Sequence, residues 1–181
     1  MIIRPIDPIK DASEIADIYA WYVDHSTATF ELRALTSEEM ASRLQSIVLK
    51  YPAFVCEEAG LIAGYCYAHM WKAFAAYSQT LETTIYLRPG TEGKGIGRAL
   101  MERLIAACRE QGVSSLIACI TAENEGSRRF HDSLGFRQVS DFKAVGRKFG
   151  RDLSVTDYQL MLLHSSSGLR RQPGAKQYSF T

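Results

Sequence analysis

Glu82 and the glycine-rich run that follows it, Glu92-Gly93-Lys94-Gly95-Ile96-Gly97-Arg98, are the residues of this chain best suited to chemistry. A carboxylate at the mouth of a strand can take a proton from a substrate, and backbone without side chains lets an anion come close. Where such a run opens a helix, the unpaired N–H groups and the helix dipole favour negative charge, so a phosphate or pyrophosphate is the natural guest. Spacing sorts the glycine loops. A nucleoside-triphosphate loop needs G-x-x-x-x-G-K and then Ser or Thr; here Gly90 stands too near Gly93-Lys94 and Gly95 follows the lysine, which rejects that reading. A dinucleotide fingerprint lacks its third glycine in register. A plain strand-turn-helix connection fits the run equally well, and spacing alone favours a solvated strand-end carboxylate or an ion pair for Glu82.

The elements that must position these residues follow from local pattern. Residues 82–87 carry Thr83, Thr84, Ile85 and Tyr86 and stop at Pro89-Gly90, as a buried strand entering a turn does. Beyond the glycines, Leu100, Met101, Leu104, Ile105 and Cys108 mark one helical face, ended by Gly112. Upstream, residues 2–6 read as a strand, Asp11-Ala12-Ser13-Glu14 as a capping box, and the helix it opens runs to about His25. Thr36 and Glu39 cap a second helix with an inner face of Met40, Leu44, Ile47 and Val48. Residues 53–57 and 61–69 form a hairpin around Glu58-Ala59-Gly60. The irregular stretch 70–79 holds Trp71, Phe74 and Tyr77, each more often a packing residue than a ligand contact. Residues 115–121 read as a strand, 124–134 as a helix, and 136–145 and 158–163 as closing strands, with a turn at Gly146-Arg147-Lys148-Phe149-Gly150. The alternation implies a single-domain α/β chain with one mixed, mostly antiparallel sheet covered by helices on both faces.

Composition bounds the rest. With 181 residues, 46% hydrophobic and 23% charged, the chain has material for one sizeable core. A net charge of +1 gives no broad attraction for nucleic acid or an anionic membrane, so neither is expected as a partner. The four cysteines are unpaired in spacing and the four histidines scattered, so buried reduced thiols and no metal site are expected. No signal-like or bilayer-length apolar run is present, and a soluble, cytoplasmic protein is the expectation. Residues 1–164 read as the domain and 165–181 as a flexible tail.

Glu92-Gly93-Lys94-Gly95-Ile96-Gly97 resembles the acetyl-CoA loop of the GNAT N-acetyltransferases, with Glu92 standing where a basic or amide residue is usual. A second block in the right order, Asn124-Glu125-Gly126-Ser127 with Phe130-His131 and Leu134-Gly135-Phe136, is similar to the same superfamily. The resemblance narrows to phosphinothricin and methionine-sulfone N-acetyltransferases through residues 26–30, Trp71-Lys72-Ala73, Tyr77, Leu81-Glu82-Thr83 and residues 145–150, and it covers about residues 2–163. It implies a GNAT fold, acetyl transfer from acetyl-CoA to the amine of an amino acid or analogue, no metal, and a homodimer. By that resemblance Thr84, Ile85 and Tyr86 align the pantetheine and thioester, Glu92, Gly93, Lys94, Gly95, Ile96, Gly97 and Arg98 hold the pyrophosphate, and Asn124 contacts the cofactor. Phe30, Lys72, Ala73, Phe74, Tyr77, Leu81 and Thr83 are the implied acceptor contacts, with Lys72 a point charge for a substrate carboxylate.

An ammonium has no lone pair, and free amines have pKa values of about 8 to 10, so transfer near neutrality needs a base; family position makes Glu82 that candidate. His131 stands where many members carry a tyrosine that protonates the departing thiolate, and is the implied acid. Peptide or protein amines are an alternative acceptor class, and an acyl-CoA-binding sensor without turnover is the non-enzymatic alternative. Unusual residues near the implied pocket, Glu31-Leu32-Arg33 and Asp152-Leu153-Ser154, leave the acceptor open.

Overall fold

The computed structural model describes residues 1–162; Leu163, His164 and the expected tail at 165–181 lie outside them. The strands are β1 (Ile2–Pro5), β2 (Ala53–Glu58), β3 (Leu61–Met70), β4 (Thr80–Leu87), β5 (Ser115–Thr121), β6 (Arg137–Gln138), β7 (Phe142–Lys148) and β8 (Arg151–Met161). The helices are α1 (Ala12–His25), α2 (Ser37–Val48), α3 (Ile96–Glu110) and α4 (Glu125–Ser133), with one 3-10 turn at Ala75–Tyr77. The strands form a single sheet in the order β1-β2-β3-β4-β5-β8, and β6 and β7 share the far edge of β8. Every pairing is antiparallel except β4 with β5.

Two cores hold the layers together. Leu100, Met101, Leu104 and Cys108, one face of α3 at helical spacing, are fully buried against Phe54, Cys66, Leu116 and Phe136. On the other face, Ile15, Ile18 and Tyr19 of α1 and Met40 and Leu44 of α2 close over Val55, Ile62 and Tyr65. At about 1.5–3 kcal/mol for each large side chain removed from water, these stripes outweigh the modest helix propensities of the segments. The sheet, gripped on both faces, fixes the ends of β4 and β5.

Local chemistry sets the boundaries. Thr36 and Glu39 form the expected capping box of α2. At α1 it does not form: Asp11 takes the N-cap position, but both its oxygens accept from the Arg4 guanidinium, at 2.7 and 2.8 Å, and one also accepts from the Asp7 N–H. A bidentate pair with a full positive charge outcompetes a single bond from a backbone N–H. The β2–β3 hairpin turns at Ala59 and Gly60, both at positive φ (52° and 82°), as a two-residue turn matched to strand twist requires.

The last third differs most from the sequence expectation. The strand expected at 136–145 breaks into β6 and β7, and the turn expected at 146–150 shrinks to Phe149 and Gly150, with φ 52° and 73°. β8 begins at Arg151, well before the expected Tyr158. Asp152 and Ser154 interrupt the apolar run there but alternate with buried Leu153 and Val155, which is strand periodicity. Gly146 stays in β7 because the Phe30 ring occupies its Cβ position: an added Cβ would lie 2.1 Å from a ring carbon.

Candidate active site

β4 and β5 pair at only three positions, Thr80–Ser115, Leu81–Leu116 and Glu82–Ile117, and then diverge. Beyond Glu82, over the roughly 16 Å of strand rise to Leu87, β4 has no partner on that side, and its backbone groups there face a cleft. The cleft has a volume of about 710 Å³. Thr83, Thr84, Ile85 and Tyr86 form one wall, Ala118 to Thr121 of β5 the opposite one, and the loop residues Ala28, Thr29 and Phe30 contribute to the lining. β5 is held across the gap by Thr83 Oγ1, which donates to the Ile117 carbonyl at 3.2 Å.

One end of the cleft is built for an anion. Gly93 and Gly95 adopt φ of 77° and 78°, backbone that other residues rarely reach, and a Cβ at either would point into open space. Gly95 is the N-cap of α3, whose first N–H groups, at Ile96, Gly97 and Arg98, have no helical acceptor. A Cβ added at Gly97 would lie 3.5 Å from the Phe130 ring, so α4 packs close over the start of α3 there. Glu92 turns its carboxylate back onto its own loop, where Oε2 accepts from the Gly90 N–H at 2.9 Å. Lys94 is not part of the lining; its Nζ stands 3.8 Å from Glu58. Arg98 lines the cleft while its guanidinium donates to Ser133 Oγ at 2.9 Å. Asn124 caps α4 with its Oδ1, which accepts from the Ser127 N–H at 3.0 Å and leaves its NH2 donors uncommitted among the described residues.

The other end is acidic. Burial lifts the Glu82 carboxyl above the ordinary glutamate range, His69 pulls it back and Asp157 pushes it further up. Nε2 of His69 lies 3.9 Å from Glu82 Oε1. Beside it Cys119 opens onto the cleft, contrary to the expectation that every thiol is buried. Its thiol is nevertheless pushed up to about 12, first by desolvation between the walls and then by Glu82 and Asp157, so it stays protonated.

His131 lines the cleft at the α4 side and is buried between Phe130 and Phe136, each ring centroid 5.1 Å away edge to face. Its Nδ1 lies 2.8 Å from the Ser127 carbonyl, which can only accept, so Nδ1 carries the proton. Burial lowers its pKa and holds the ring neutral, with Nε2 then bare.

The loop at residues 26–30 is held by groups that sequence reasoning did not assign. Lys148, 3% exposed, donates to the carbonyls of Ser26 and Thr29 at 2.8 Å each and approaches that of Tyr22 at 3.4 Å. Desolvation lowers its pKa, and the three carbonyl dipoles offset the cost of burying its charge. Tyr19 and Thr29 share a hydroxyl hydrogen bond of 2.7 Å, and Tyr86 donates to Ala28 O at 3.3 Å. A lysine inside an apparent turn carries no sequence signal for such a role.

The sequence-predicted residues thus separate. Glu82, Thr83, Thr84, Ile85, Tyr86, Glu92, Gly93, Gly95, Ile96, Gly97, Arg98, Asn124, His131 and Phe30 converge on the one cleft. Leu81 points into the core at 3% exposure. Lys72, Ala73, Phe74 and Tyr77 stand outside the lining; the Lys72 ammonium rests 4.1 Å above the Trp71 ring and 5.6 Å from that of Tyr77, and Phe74 is largely exposed. Among the described residues no helix is long and apolar enough to cross a membrane.

Comparison with known proteins agrees with this geometry. Residues 4–155 match the family described as Acetyltransferase (GNAT) domain. An L-methionine sulfoximine/L-methionine sulfone acetyltransferase of Salmonella typhimurium is 37% identical over 163 residues, 90% of this chain and 95% of that protein. A phosphinothricin N-acetyltransferase of Streptomyces viridochromogenes is 34% identical over 82% of this chain and 80% of its own length. Among solved structures, a Salmonella typhimurium acetyltransferase with its cofactor acetyl-CoA superposes with a TM-score of 0.88 at 35% identity, covering 93% of this chain and 97% of that one.

Proposed function

The chain belongs to the GNAT acetyltransferases, and on that premise we propose that it transfers the acetyl group of acetyl-CoA to the primary amine of a small amino acid or amino-acid analogue, with Glu82 as general base. The observation that carries this reading is the layout of one cleft: an anion cradle at Gly93–Gly95 and a raised-pKa carboxylate at Glu82, joined by a length of β4 without a strand partner. An elongated ligand with a phosphate at one end and its reactive group at the other fits that layout.

The residues present suit acetyl-CoA. Left-handed Gly93 and Gly95 and the first N–H groups of α3 would hold the pyrophosphate, and the open edge of β4 from Thr83 to Tyr86 would take the amide-bearing arm. When bound, acetyl-CoA supplies a thioester carbonyl for the amine to attack. Glu82, ionised above its raised pKa, receives the proton of the acceptor ammonium directly or through water, which frees the nitrogen lone pair. Open backbone N–H groups of β4 can donate to the carbonyl oxygen as charge builds on it. His131, neutral with its proton committed to Ser127 O, has none at Nε2 to give, so in this reading the thiolate leaves without an acid from the protein, as a group of pKa about 8.5 can.

The named substrates of the relatives, methionine sulfoximine, methionine sulfone and phosphinothricin, share an amino-acid frame with a polar oxygen-rich side chain. Phe30, pressed on Gly146, supplies an aromatic wall for such an acceptor. Lys72, over Trp71 and off the lining, is assigned no contact here. The test is CoA release by purified protein with methionine sulfone, methionine sulfoximine, phosphinothricin, ordinary amino acids, polyamines and peptides, with product mass. Selective turnover of the amino-acid analogues is expected; turnover of peptides alone, or tight acetyl-CoA binding with no amine-dependent release, overturns the assignment. Sedimentation equilibrium tests the homodimer that belongs to the same proposal.

A further inference from the structure

A second carboxylate stands on the Glu82 face of the sheet, just behind the cleft lining, on a strand that the chemistry above does not use. Asp157 of β8 is the direct partner of Cys119 in the β5–β8 ladder, and residues opposite one another in an antiparallel pair send their side chains to one face about 5 Å apart. Glu82 is registered with Ile117, two positions before Cys119 on β5 and so on that same face. The core-facing set on β5 is instead Leu116, Ala118 and Ile120, against α3.

Side-chain interactions agree with the register. The Cys119 thiol lies in the field of both carboxylates, and Asp157 and His69 both act on Glu82. Glu82 and Cys119 line the cleft, and Asp157 stands next to Cys119 in the ladder, one residue behind that lining. Among the described residues neither carboxylate has a lysine or arginine salt-bridge partner; the imidazole of His69 on β3 stands 3.9 Å from Glu82. Two carboxylates sharing one imidazole leave net negative charge on the floor, and the guest that balances it carries positive charge and several N–H donors.

Resting on the acetyltransferase reading, we propose that Asp157 is a specificity-determining residue of the acceptor site, which accepts an N–H bond from the incoming ammonium while Glu82 takes its proton. One N–H proton passes to a Glu82 oxygen, a second N–H stays bonded to Asp157, and the freed lone pair turns toward the thioester; Asp157 keeps its charge throughout. The pair selects a charged ammonium with an N–H for each carboxylate over uncharged amides.

The test is steady-state kinetics of Asp157→Asn and Asp157→Glu beside the wild type, with the best amine from the panel. Asp157→Asn is expected to raise the acceptor KM roughly 10- to 100-fold, as loss of a charged hydrogen bond does, and to leave the acetyl-CoA KM unchanged. It should also move the acid limb of kcat/KM to lower pH, since a negative charge that holds Glu82 protonated is gone. Asp157→Glu, which keeps the charge, should retain the wild-type limb. An unchanged acceptor KM and a coincident limb in a folded Asp157→Asn protein overturn the proposal while wild-type turnover keeps the acetyltransferase reading. Absence of amine-dependent CoA release in the wild type overturns that reading and the role of Asp157 with it.

Discussion

Glu82 and His69 face each other across β4 and β3 as register partners, with Oε1 of the one 3.9 Å from Nε2 of the other. The imidazole is the one neighbour that counters the upward pull of burial and Asp157 on the carboxyl. His69→Gln should therefore move the acid limb of kcat/KM to higher pH, wherever His69 carries charge in the wild type. An unchanged or lower limb would mean that the two groups do not communicate.

Glu82 must be ionised to act as a base, and its raised pKa places the loss of activity, as pH falls, above the ordinary glutamate range. Glu82→Gln should cost about 10²- to 10⁴-fold in kcat/KM, abolish that acid limb and leave acetyl-CoA affinity within about threefold by calorimetry. Wild-type turnover in a folded Glu82→Gln protein would remove the carboxylate from the reaction.

His131 makes the opposite prediction. With its proton on Nδ1 donated to the Ser127 carbonyl and its ring held neutral, it supplies no acid, so His131→Gln should keep kcat within about fivefold at every pH. Its cost should be in stability, about 1–3 kcal/mol for a disturbed buried hydrogen bond, read from urea unfolding. A selective fall in kcat at high pH would restore the leaving-group role.

Lys148 ties the loop over the cleft to the end of α1. Lys148→Met removes the donor from the carbonyls of Ser26 and Thr29 and should destabilise the protein by about 2–4 kcal/mol. The freed loop should be cut faster by protease near residues 26–30, and the acceptor KM should rise more than the acetyl-CoA KM. Equal changes in both constants would show that the lysine serves general stability alone.

At the cradle, Gly95→Val forces a β-branched residue to φ 78°, at a cost of more than about 1 kcal/mol. Because a Cβ there projects into the open space of the cradle, acetyl-CoA affinity should fall about tenfold or more while the acceptor KM moves little. Unaltered affinity would place the pyrophosphate elsewhere.

Much of the molecule was legible before any coordinates. The stripe from Leu100 to Cys108 and the Thr36–Glu39 box are local patterns whose meaning does not depend on distant residues, and both formed. The box at Asp11 failed for the converse reason: Arg4 reached it from β1 and took both its oxygens. The closing hairpin was misread because Gly146 looks like a turn residue, whereas its missing side chain serves the ring of Phe30, more than a hundred positions earlier.

The order of the glycine run, the Asn124 block and Glu82 along the chain is enough to determine the family, the fold class and the two ends of the cleft, because covalent spacing along one strand and into one helix sets them. Which side chains surround Glu82 was decided by tertiary structure alone. His69, Cys119 and Asp157 lie on three other strands, and only sheet register brings them to the same face as Glu82. Likewise Lys72 reads as a ligand by its neighbours in sequence but sits over Trp71, and Lys148 reads as a turn residue but spans β7 and the loop after α1. Contacts between residues far apart in sequence arise from strand order and helix packing, which no local pattern encodes.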